Sequence, residues 1–499
     1  MTSGARAFAA VDLGAESGRV IVGEVGSARL ELHEAHRFAN TTVALPDGLH
    51  WNILSLFNEM LSGLAKAAAS ARRLSGIGID SWGVDYGLLD GSYRLLGIPF
   101  HYRDTRTQGM IELAASRVPP AELYARTGIQ TMPINTIFQL LAESGSAIAE
   151  AAQHIAMIPD LMGLWLTGTF ANEATIASTT GLIDARTGSW AHDLIKTLGL
   201  PTEAMRGAPC EPGGLLGDVR GEHAAIAGVQ VWSVASHDTA SAFVAAPLSS
   251  RNAAILSSGT WSLLGVELAA PLLTPAAAAA NLTNERGIDG TIRALRNVMG
   301  LWLVQECKRH WEESGLALDY SELERLATIH QDDTALFDPD HPSLLHHGDM
   351  PSRITTLCGN TGQRAPRHAG EFTRAILVSL ACKYNLVLAR LRASTGRAID
   401  VIHVIGGGVR NRALCQLTAD ITGLPVIAGP GEATAIGNIL VQARAVGELS
   451  SLGQMRELVG ASFATERYEP SPNDSALQTY ERFLAMTGLS VSTPEPSLV

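Results

Sequence analysis

Asp12-Leu13-Gly14-Ala15-Glu16-Ser17-Gly18-Arg19 lies between two apolar stretches, residues 8–11 and 20–25, near the start of the chain. A related turn, Ser257-Ser258-Gly259-Thr260, lies between two further apolar stretches downstream. A strand, a turn of small residues and a returning strand place several backbone N–H groups around one concavity, which suits phosphate oxygens. Two such hairpins predict a duplicated fold that holds a nucleotide from both sides.

The length of the chain predicts more than one domain. Its 499 residues exceed what one hydrophobic core usually organises. A short polar and proline-containing segment at 246–251 precedes the strand that enters the second hairpin. We therefore expect an N-terminal domain over 1–248 and a C-terminal domain over 249–470, with 471–499 as a peripheral tail rich in Pro and Ser.

Charge and composition restrict the classes of molecule that the protein can bind. Lys and Arg total 37 and Asp and Glu total 49, which gives a net charge of −12. This excess of negative charge argues against a nucleic acid or an anionic membrane as partner, and no obligate protein partner is evident. Phosphorylated ligands would be held locally, by N–H groups and a metal ion.

The cysteines indicate neither a zinc site nor a disulfide framework, because they are odd in number, widely spaced and without a Cys-x-x-Cys pair. They are Cys210, Cys307, Cys358, Cys382 and Cys415. We expect reduced, mostly buried thiols.

No uncharged stretch approaches the roughly 20 residues that span a bilayer, and no targeting segment is expected, so the predicted location is the cytoplasm.

Periodicity in the first half predicts three strands, a helix and a strand. The third strand is expected at 30–38 and the Ala- and Leu-rich helix at 54–71. Residues 77–85 read as a strand that runs into a polar turn. This βββαβ order is typical of an α/β domain with a mixed sheet. A further strand is expected at 228–235, followed by Ser236-His237-Asp238-Thr239.

The second half predicts three helices and a buried strand. Helical spacing covers 300–313 and 372–391, and Val401–Ile405 is an apolar strand that enters Gly406-Gly407-Gly408. An amphipathic helix follows, and Gly423 can terminate it.

Two aspartates are candidates for chemistry. Asp12, at a strand end before a glycine-bearing turn, could hold magnesium through its water shell, although an isolated Asp-x-Gly is more often an Asx turn. Asp238 could accept a proton from a substrate hydroxyl that attacks phosphorus, although helix N-capping is the alternative. Alone, His237 is more often a packing residue. Glu16 is an anion in a turn assigned to phosphate, which is repulsive unless its side chain points outward.

Glycines form the third candidate feature. Gly406-Gly407-Gly408 would let a flat ligand lie against bare backbone, although a plain strand-to-helix turn is equally compatible. The spacing G-x-G-x-x-G fails at Asn411, and no G-x-x-x-x-G-K-[ST] occurs, which removes the two commonest nucleotide folds. Thr260 in the second hairpin could contact a phosphate oxygen or a water of the metal.

Taken in their order along the chain, these motifs resemble those of the FGGY family of carbohydrate kinases. Members of that family are built from two actin-like, ribonuclease-H-like domains with a catalytic cleft between them. The resemblance extends from about residue 8 to about 445. Within the family, the chain resembles the branch that phosphorylates L-rhamnulose. It rests on residues 11–19, 78–85, 102–106, 158–161, 236–241, 258–262, 297–303 and 426–433.

The resemblance implies ATP-dependent phosphorylation of O1 of L-rhamnulose, in L-rhamnose catabolism, with Mg²⁺ accompanying ATP. It assigns Asp238 as proton acceptor. The implied ATP-binding residues are Ala15, Glu16, Ser17, Gly18, Arg19, Thr260, Gln305, Gly407 and Gly408. The implied sugar-binding residues are Gly83, His237, Asp238, Thr239 and Asn297.

Three alternatives stay open at this stage. Another family member could act on L-fuculose, L-xylulose or L-ribulose, since such ketoses differ by a few hydrogen bonds. The same duplicated fold also occurs in non-catalytic nucleotide-binding proteins. The joint presence of Asp12, Thr260 and Asp238 argues against a non-catalytic role. A dehydrogenase is disfavoured by the missing dinucleotide fingerprint.

Overall fold

The structure is a computed structural model that describes residues 5–71, 73–329, 334–471 and 474–492. Its strands are β1 (Arg6–Leu13), β2 (Ser17–Val25), β3 (Leu30–Ala39), β4 (Thr42–Leu45), β5 (Gly48–Trp51), β6 (Leu74–Ser81), β7 (Tyr86–Leu89), β8 (His154–Met157), β9 (Leu215–Asp218), β10 (Gln230–Trp232), β11 (Ala253–Ser258), β12 (Trp261–Leu268), β13 (Thr283–Arg286), β14 (Ile292–Met299), β15 (Val401–Ile405), β16 (Val426–Ala428) and β17 (Glu466–Tyr468).

Its helices are α1 (Ile53–Ser70), α2 (Met110–Arg117), α3 (Pro120–Thr127), α4 (Thr136–Glu143), α5 (Ala147–Ala151), α6 (Ile158–Thr167), α7 (Ala174–Ala177), α8 (His192–Thr197), α9 (Asp238–Val244), α10 (Pro275–Ala279), α11 (Trp302–Glu313), α12 (Tyr320–Ile329), α13 (Met350–Asn360), α14 (Ala369–Thr395), α15 (Arg412–Thr422), α16 (Ala433–Ala445), α17 (Leu452–Ser462) and α18 (Asp474–Thr487).

The first half of the chain builds a six-stranded sheet in the order β3-β2-β1-β6-β10-β9. β1 pairs antiparallel with β2 through the first predicted hairpin and parallel with β6, which pairs parallel with β10. Every residue of β1 after Arg6 is buried, as expected for a central strand covered on both faces. The βββαβ order is confirmed, with the hairpin β4–β5 added before α1.

The second half builds a seven-stranded sheet in the order β13-β14-β12-β11-β15-β16-β17. β11 pairs antiparallel with β12 through the second predicted hairpin and parallel with β15. β11 is therefore related to its neighbours as β1 is to β2 and β6. This repetition is the duplication that the two hairpins predict.

Helices α9 and α16 pack against each other, and α16 also covers β1 and β6. Gly437 lies at the contact with α9, where a Cβ would stand 1.8 Å from the carbonyl oxygen of Ser241. Only glycine permits this approach of the two helices. A helix from the end of the second half thereby packs on the first sheet.

One segment differs from the sequence-based expectation. The strand expected at 228–235 is shorter and comprises only β10. Beyond β10 the chain stays next to the end of β6 through the 2.9 Å hydrogen bond from Ser81 N to Ser236 O. The tail expected from residue 471 onward contains α18, whose Phe483 is buried in a cluster with Leu336 and Val378. Residues 472–473 and 493–499 lie outside the described residues.

Helix α14 is the longest helix of the described residues. The side chain of His368 caps its first turn, and Gly396, at φ +66°, ends it. It is long and apolar enough to cross a bilayer by composition, but 83% of that apolar window is buried within the protein. α14 is therefore a core helix. Four of the five cysteines are likewise buried, as predicted.

Candidate active site

The carboxyl ends of β1, β6, β11 and β15 face one cavity of ≈ 570 Å³, which residues of both halves line. Parallel neighbours end at the same edge of a sheet, so each sheet directs two strand ends into this space.

Most predicted site residues line the cavity: Asp12, Ala15, Glu16, Ser17, Arg19, Gly83, His237, Asp238, Thr239, Thr260, Asn297, Gln305 and Gly407. Gly18 and Gly408 do not. A Cβ at Gly18 would lie 2.3 Å from the ring of Phe38, and a Cβ at Gly408 would lie 2.0 Å from Oγ of Ser258. These two glycines permit close packing behind the cavity wall.

The two predicted hairpin turns are held by hydrogen bonds that leave their tips facing the cavity. In the first, Gly14 N donates to Ser17 O at 3.0 Å, and the Asn40 amide donates to Gly14 O at 3.0 Å. In the second, Gly259 N donates to Trp261 O at 2.9 Å. Backbone N–H groups in such turns form a concave anion site.

The glycine corner continues directly from β15. Gly406 has φ +82°, and a Cβ there would lie 3.1 Å from Ser258 O on the neighbouring strand β11. Gly407 has open space at its Cβ position. The corner therefore combines a tight backbone turn with bare backbone on the cavity side.

Arg19 joins the two halves at the base of the first turn. Its Nη2 atom lies 2.6 Å from Oδ2 of Asp12, and its Nη1 atom contacts the carboxylate of Glu432. Burial raises the pKa of Asp12, while the Arg19 guanidinium opposes that rise. Arg19 thus compensates the buried charge at the end of β1.

A second buried carboxyl group, Asp80, lies opposite Asp12 in the parallel register of β1 and β6. Its Oδ2 accepts a 2.6 Å hydrogen bond from the amide of Asn438. Burial, and then the charge of Asp12, raise the pKa of Asp80 well above its usual range. Asp80 has no role in the sequence-based predictions, although it lies inside the 78–85 stretch.

Asp238 is the first residue of α9, with a partly exposed side chain. Its Oδ1 atom accepts from Thr239 N at 2.5 Å and from Thr239 Oγ1 at 3.0 Å, and it lies 3.3 Å from Nε2 of His237. No hydrogen bond to Oδ2 is present within the described ranges. One carboxylate oxygen is therefore anchored, and the other is available to a ligand.

His237 is oriented by a buried ion pair that the sequence analysis missed. The guanidinium of Arg293 lies 3.0 Å from Nδ1 of His237 and 3.1 Å from Glu285. The Glu285 carboxylate lies 3.2 Å from the same Nδ1 atom, so a donor and an acceptor both face this nitrogen, while Nε2 lies on the side of Asp238. Burial opposes ionisation of Glu285, but the Arg293 charge, together with the contacts from His237 and Asn297, outweighs burial and lowers the pKa of Glu285 to about 2.

Glu285 and Arg293 are directly opposite each other in the antiparallel register of β13 and β14. No local motif marks this pair, and only the register could have revealed it. Asn297 follows on the same strand, and Gln130 of the first half exchanges hydrogen bonds with its backbone, N to Oε1 at 2.8 Å and Nε2 to O at 3.1 Å. Gln130 lines the cavity and was also missed.

Asp85 supports the loop that carries Gly83. Its buried carboxylate accepts from the indole N–H groups of Trp51 at 2.6 Å and Trp82 at 2.9 Å, and from the amide of Gln139 at 2.8 Å. Tyr102 N adds a fourth donor at 3.2 Å. Burial raises the pKa of Asp85 to about 6, against these hydrogen bonds.

Glu16, the anion in the first turn, is exposed at the cavity. Partial desolvation, and then the nearby charge of Glu306, raise its pKa. Its carboxylate remains open to solvent, which reduces the repulsion expected between it and a phosphate.

Family models of known proteins match both halves of the chain. The N-terminal domain of the FGGY family of carbohydrate kinases matches residues 7–245, and its C-terminal domain matches 254–446. The chain therefore belongs to the FGGY family of carbohydrate kinases, as the sequence resemblance implied.

Within that family, the chain is similar to proteins named rhamnulokinase. It is 42% identical to the one from Bacteroides thetaiotaomicron, over 93% of this chain and 96% of that protein. It is 40% identical to the one from Enterococcus faecalis, over 97% and 98%.

Solved structures show the same fold at low sequence identity. Gluconate kinase from Lactobacillus acidophilus superposes with a TM-score of 0.78 at 14% identity, over 98% of this chain and 99% of that chain. Glycerol kinase from Plasmodium falciparum with ADP gives 0.75 at 16% identity, over 97% and 99%. The two-domain α/β architecture with a central cleft is thus confirmed.

Proposed function

We propose that the chain phosphorylates O1 of L-rhamnulose with ATP and releases L-rhamnulose 1-phosphate and ADP, as a step of L-rhamnose catabolism in the cytoplasm. The observation that carries the proposal is Asp238, whose free Oδ2 faces a cavity that two backbone turns also reach. The relatives named rhamnulokinase, which the chain matches over nearly its whole length, support the choice of sugar.

In this mechanism Oδ2 of Asp238 takes the proton of the O1 hydroxyl while O1 attacks the γ-phosphorus. A P–O1 bond forms, the bond from phosphorus to the β-phosphate oxygen breaks, and ADP leaves. Transfer of the proton to a positioned carboxylate contributes about 10²- to 10⁴-fold to the rate. Thr239, His237 and Asn297 align O1, which removes orientational freedom and supplies a further part of the rate enhancement.

Charge at the transferred phosphoryl group is compensated locally. The turns at 14–17 and 258–261 offer N–H groups, while the Arg19 guanidinium, paired with Asp12 and Glu432, offsets carboxylate charge beside the first turn. No set of three or more His, Cys, Asp or Glu side chains in the described part of the chain could hold a metal by itself. Mg²⁺ keeps several waters and binds mainly through ATP phosphates, so Asp12 would hold it through a water molecule and the ion would neutralise phosphate charge.

We also propose a division of the chain into two functional domains. Residues 1–248 form the domain that binds the sugar, and 249–470 form the domain that binds the adenine nucleotide through Thr260, Gln305 and Gly407. The sheets built from Arg6–Leu13 to Gln230–Trp232 and from Ala253–Ser258 to Glu466–Tyr468 support this division. Closure of the cleft would exclude water as a competing acceptor.

The test is ADP release with Mg²⁺ and ATP across L-rhamnulose, L-fuculose, L-xylulose and L-ribulose, with phosphorus NMR of the product. We expect the highest kcat/KM for L-rhamnulose and a phosphate ester on C1. A clear preference for another ketose would refute the sugar while leaving the kinase activity in place. Absence of sugar-dependent ADP release with every ketose would refute the proposed activity.

A further inference from the structure

Val84 has a strained backbone at the sugar end of the cavity. Its φ is +70°, whereas the other non-glycine residues with positive φ in the described part are Tyr93, Asn281 and Asp289, none of them β-branched. A β-branched residue in this region is a true outlier, because its side chain crowds the backbone. Such strain persists only where the surroundings enforce it, and it concentrates at functional positions.

The surroundings of Val84 enforce it through both backbone polar atoms. Val84 N donates to Oγ1 of Thr179 at 3.1 Å, and Val84 O accepts from Oγ1 of Thr136 at 2.6 Å and from Gln139 at 3.3 Å. The next residue, Asp85, is held by four donors. Hydrogen bonds to Val84 N, to Val84 O and to the Asp85 carboxylate therefore fix the conformation of this loop.

What Val84 offers to the cavity is hydrocarbon. The residue is 9% exposed and lines the cavity, while its N–H and C=O are already occupied. Other apolar side chains line the same cavity: Trp82, Ile129, Met132 and Ile134. The polar groups His237 and Asp238 enter from the neighbouring strand end, since Ser81 bridges to His237. A sugar bound here would contact the polar groups of His237 and Asp238 at one end and apolar side chains along the wall of the cavity.

We infer that Val84 makes the site selective for a ketose whose terminal carbon is a methyl group over one with a terminal hydroxymethyl group. This inference rests on the proposed function and specifies its substrate class. A methyl group gains free energy on burial against Val84, whereas a hydroxyl there gives up water and finds the Val84 carbonyl already bonded.

The test compares sugars that differ by one oxygen. L-Rhamnulose is 6-deoxy-L-fructose, and L-fuculose is 6-deoxy-L-tagatose, so kcat/KM is measured for both pairs. In the wild type we expect the methyl sugar to be preferred in each pair that reacts, by about 10- to 100-fold, the range in which an apolar pocket rejects an added hydroxyl. A ratio of one or less in both pairs, or no reaction with any of the four, overturns the inference.

Val84→Thr keeps shape and β-branching and adds a hydroxyl, so we expect the methyl preference to fall by about 10-fold. Val84→Gly suits the positive φ and should fold even if the threonine variant does not, again with a reduced preference. Val304→Thr, next to Gln305 on α11, is the matched control and should leave the ratio unchanged. Equal losses for both sugars of a pair in the Val84 variants would show a purely structural role and overturn the inference.

Higher kcat/KM for L-fuculose than for L-rhamnulose, with the methyl preference intact, would instead refute the proposed sugar and leave the inference standing. The two failures are therefore distinguishable in one data set.

Discussion

The guanidinium of Arg293 lies 3.0 Å from Nδ1 of His237, on the side of the imidazole that faces away from Asp238. The Glu285 carboxylate lies 3.2 Å from the same nitrogen, so the buried pair holds the Nδ1 side of the ring, while Nε2 lies 3.3 Å from Oδ1 of Asp238. A buried cross-strand pair, Glu285 and Arg293, thereby orients the imidazole of a residue beside the proposed base.

The role of His237 can be tested with two substitutions. His237→Gln retains a side chain that can hydrogen-bond to Asp238 and to the Glu285–Arg293 pair, whereas His237→Leu removes these hydrogen bonds. We expect kcat to fall by about 10-fold in the glutamine variant and by about 100-fold in the leucine variant, the cost typical of a misplaced reacting group. Unchanged ATP binding in both, measured by calorimetry, would show that the loss is local. Equal kcat values would refute the orienting role.

The Glu285–Arg293 pair predicts a pH dependence of stability. The pKa of Glu285 is about 2 in the folded protein and near 4.5 when unfolded, so its ionised form stabilises the fold. That contribution is complete above about pH 4.5 and is lost as the pH falls towards 2. The difference in unfolding free energy between the wild type and Glu285→Gln should therefore shrink across this window in urea titrations. A constant difference would contradict the assignment.

Asp85 should be more important for stability than an exposed aspartate with similar turn contacts. Asp85→Asn places an NH₂ group among four donors in a buried site and should cost about 2–4 kcal/mol. Asp90→Asn is the control, because Asp90 accepts from Ser92 N and Arg94 N at the surface and its substitution should cost much less stability than that of Asp85. Urea unfolding measures both, and similar losses would contradict the account of Asp85.

The glycine corner predicts different defects at neighbouring positions. Gly408→Ala places a Cβ 2.0 Å from Oγ of Ser258 and should destabilise the protein, with partial rescue by Ser258→Gly. Gly407→Ala has open space and should leave thermal stability unchanged while raising the KM for ATP by about 10-fold, because the methyl enters the proposed nucleotide space. Normal KM in the Gly407 variant would remove this residue from the ATP site.

The sequence predicted features that short-range patterns encode. Alternating apolar stretches and turns indicated β1, β2 and β11, and the run Val401–Ile405 indicated β15 to the residue. It did not indicate Glu285, Arg293 or Gln130, because their roles depend on strand register and on contacts between the two halves. The strain at Val84 was also hidden, since it arises from hydrogen bonds to Thr136 and Thr179, which lie about 50 and 95 residues away.

The central claim is that Oδ2 of Asp238 accepts the proton of the sugar hydroxyl. The most direct measurement is sugar-dependent ADP release by Asp238→Asn with saturating Mg²⁺-ATP and L-rhamnulose, beside calorimetric ATP binding by the same variant. We predict that kcat falls by about 10²- to 10⁴-fold, the contribution of a general base, while ATP binding changes by less than about 3-fold. A kcat within a few-fold of the wild type would contradict the claim.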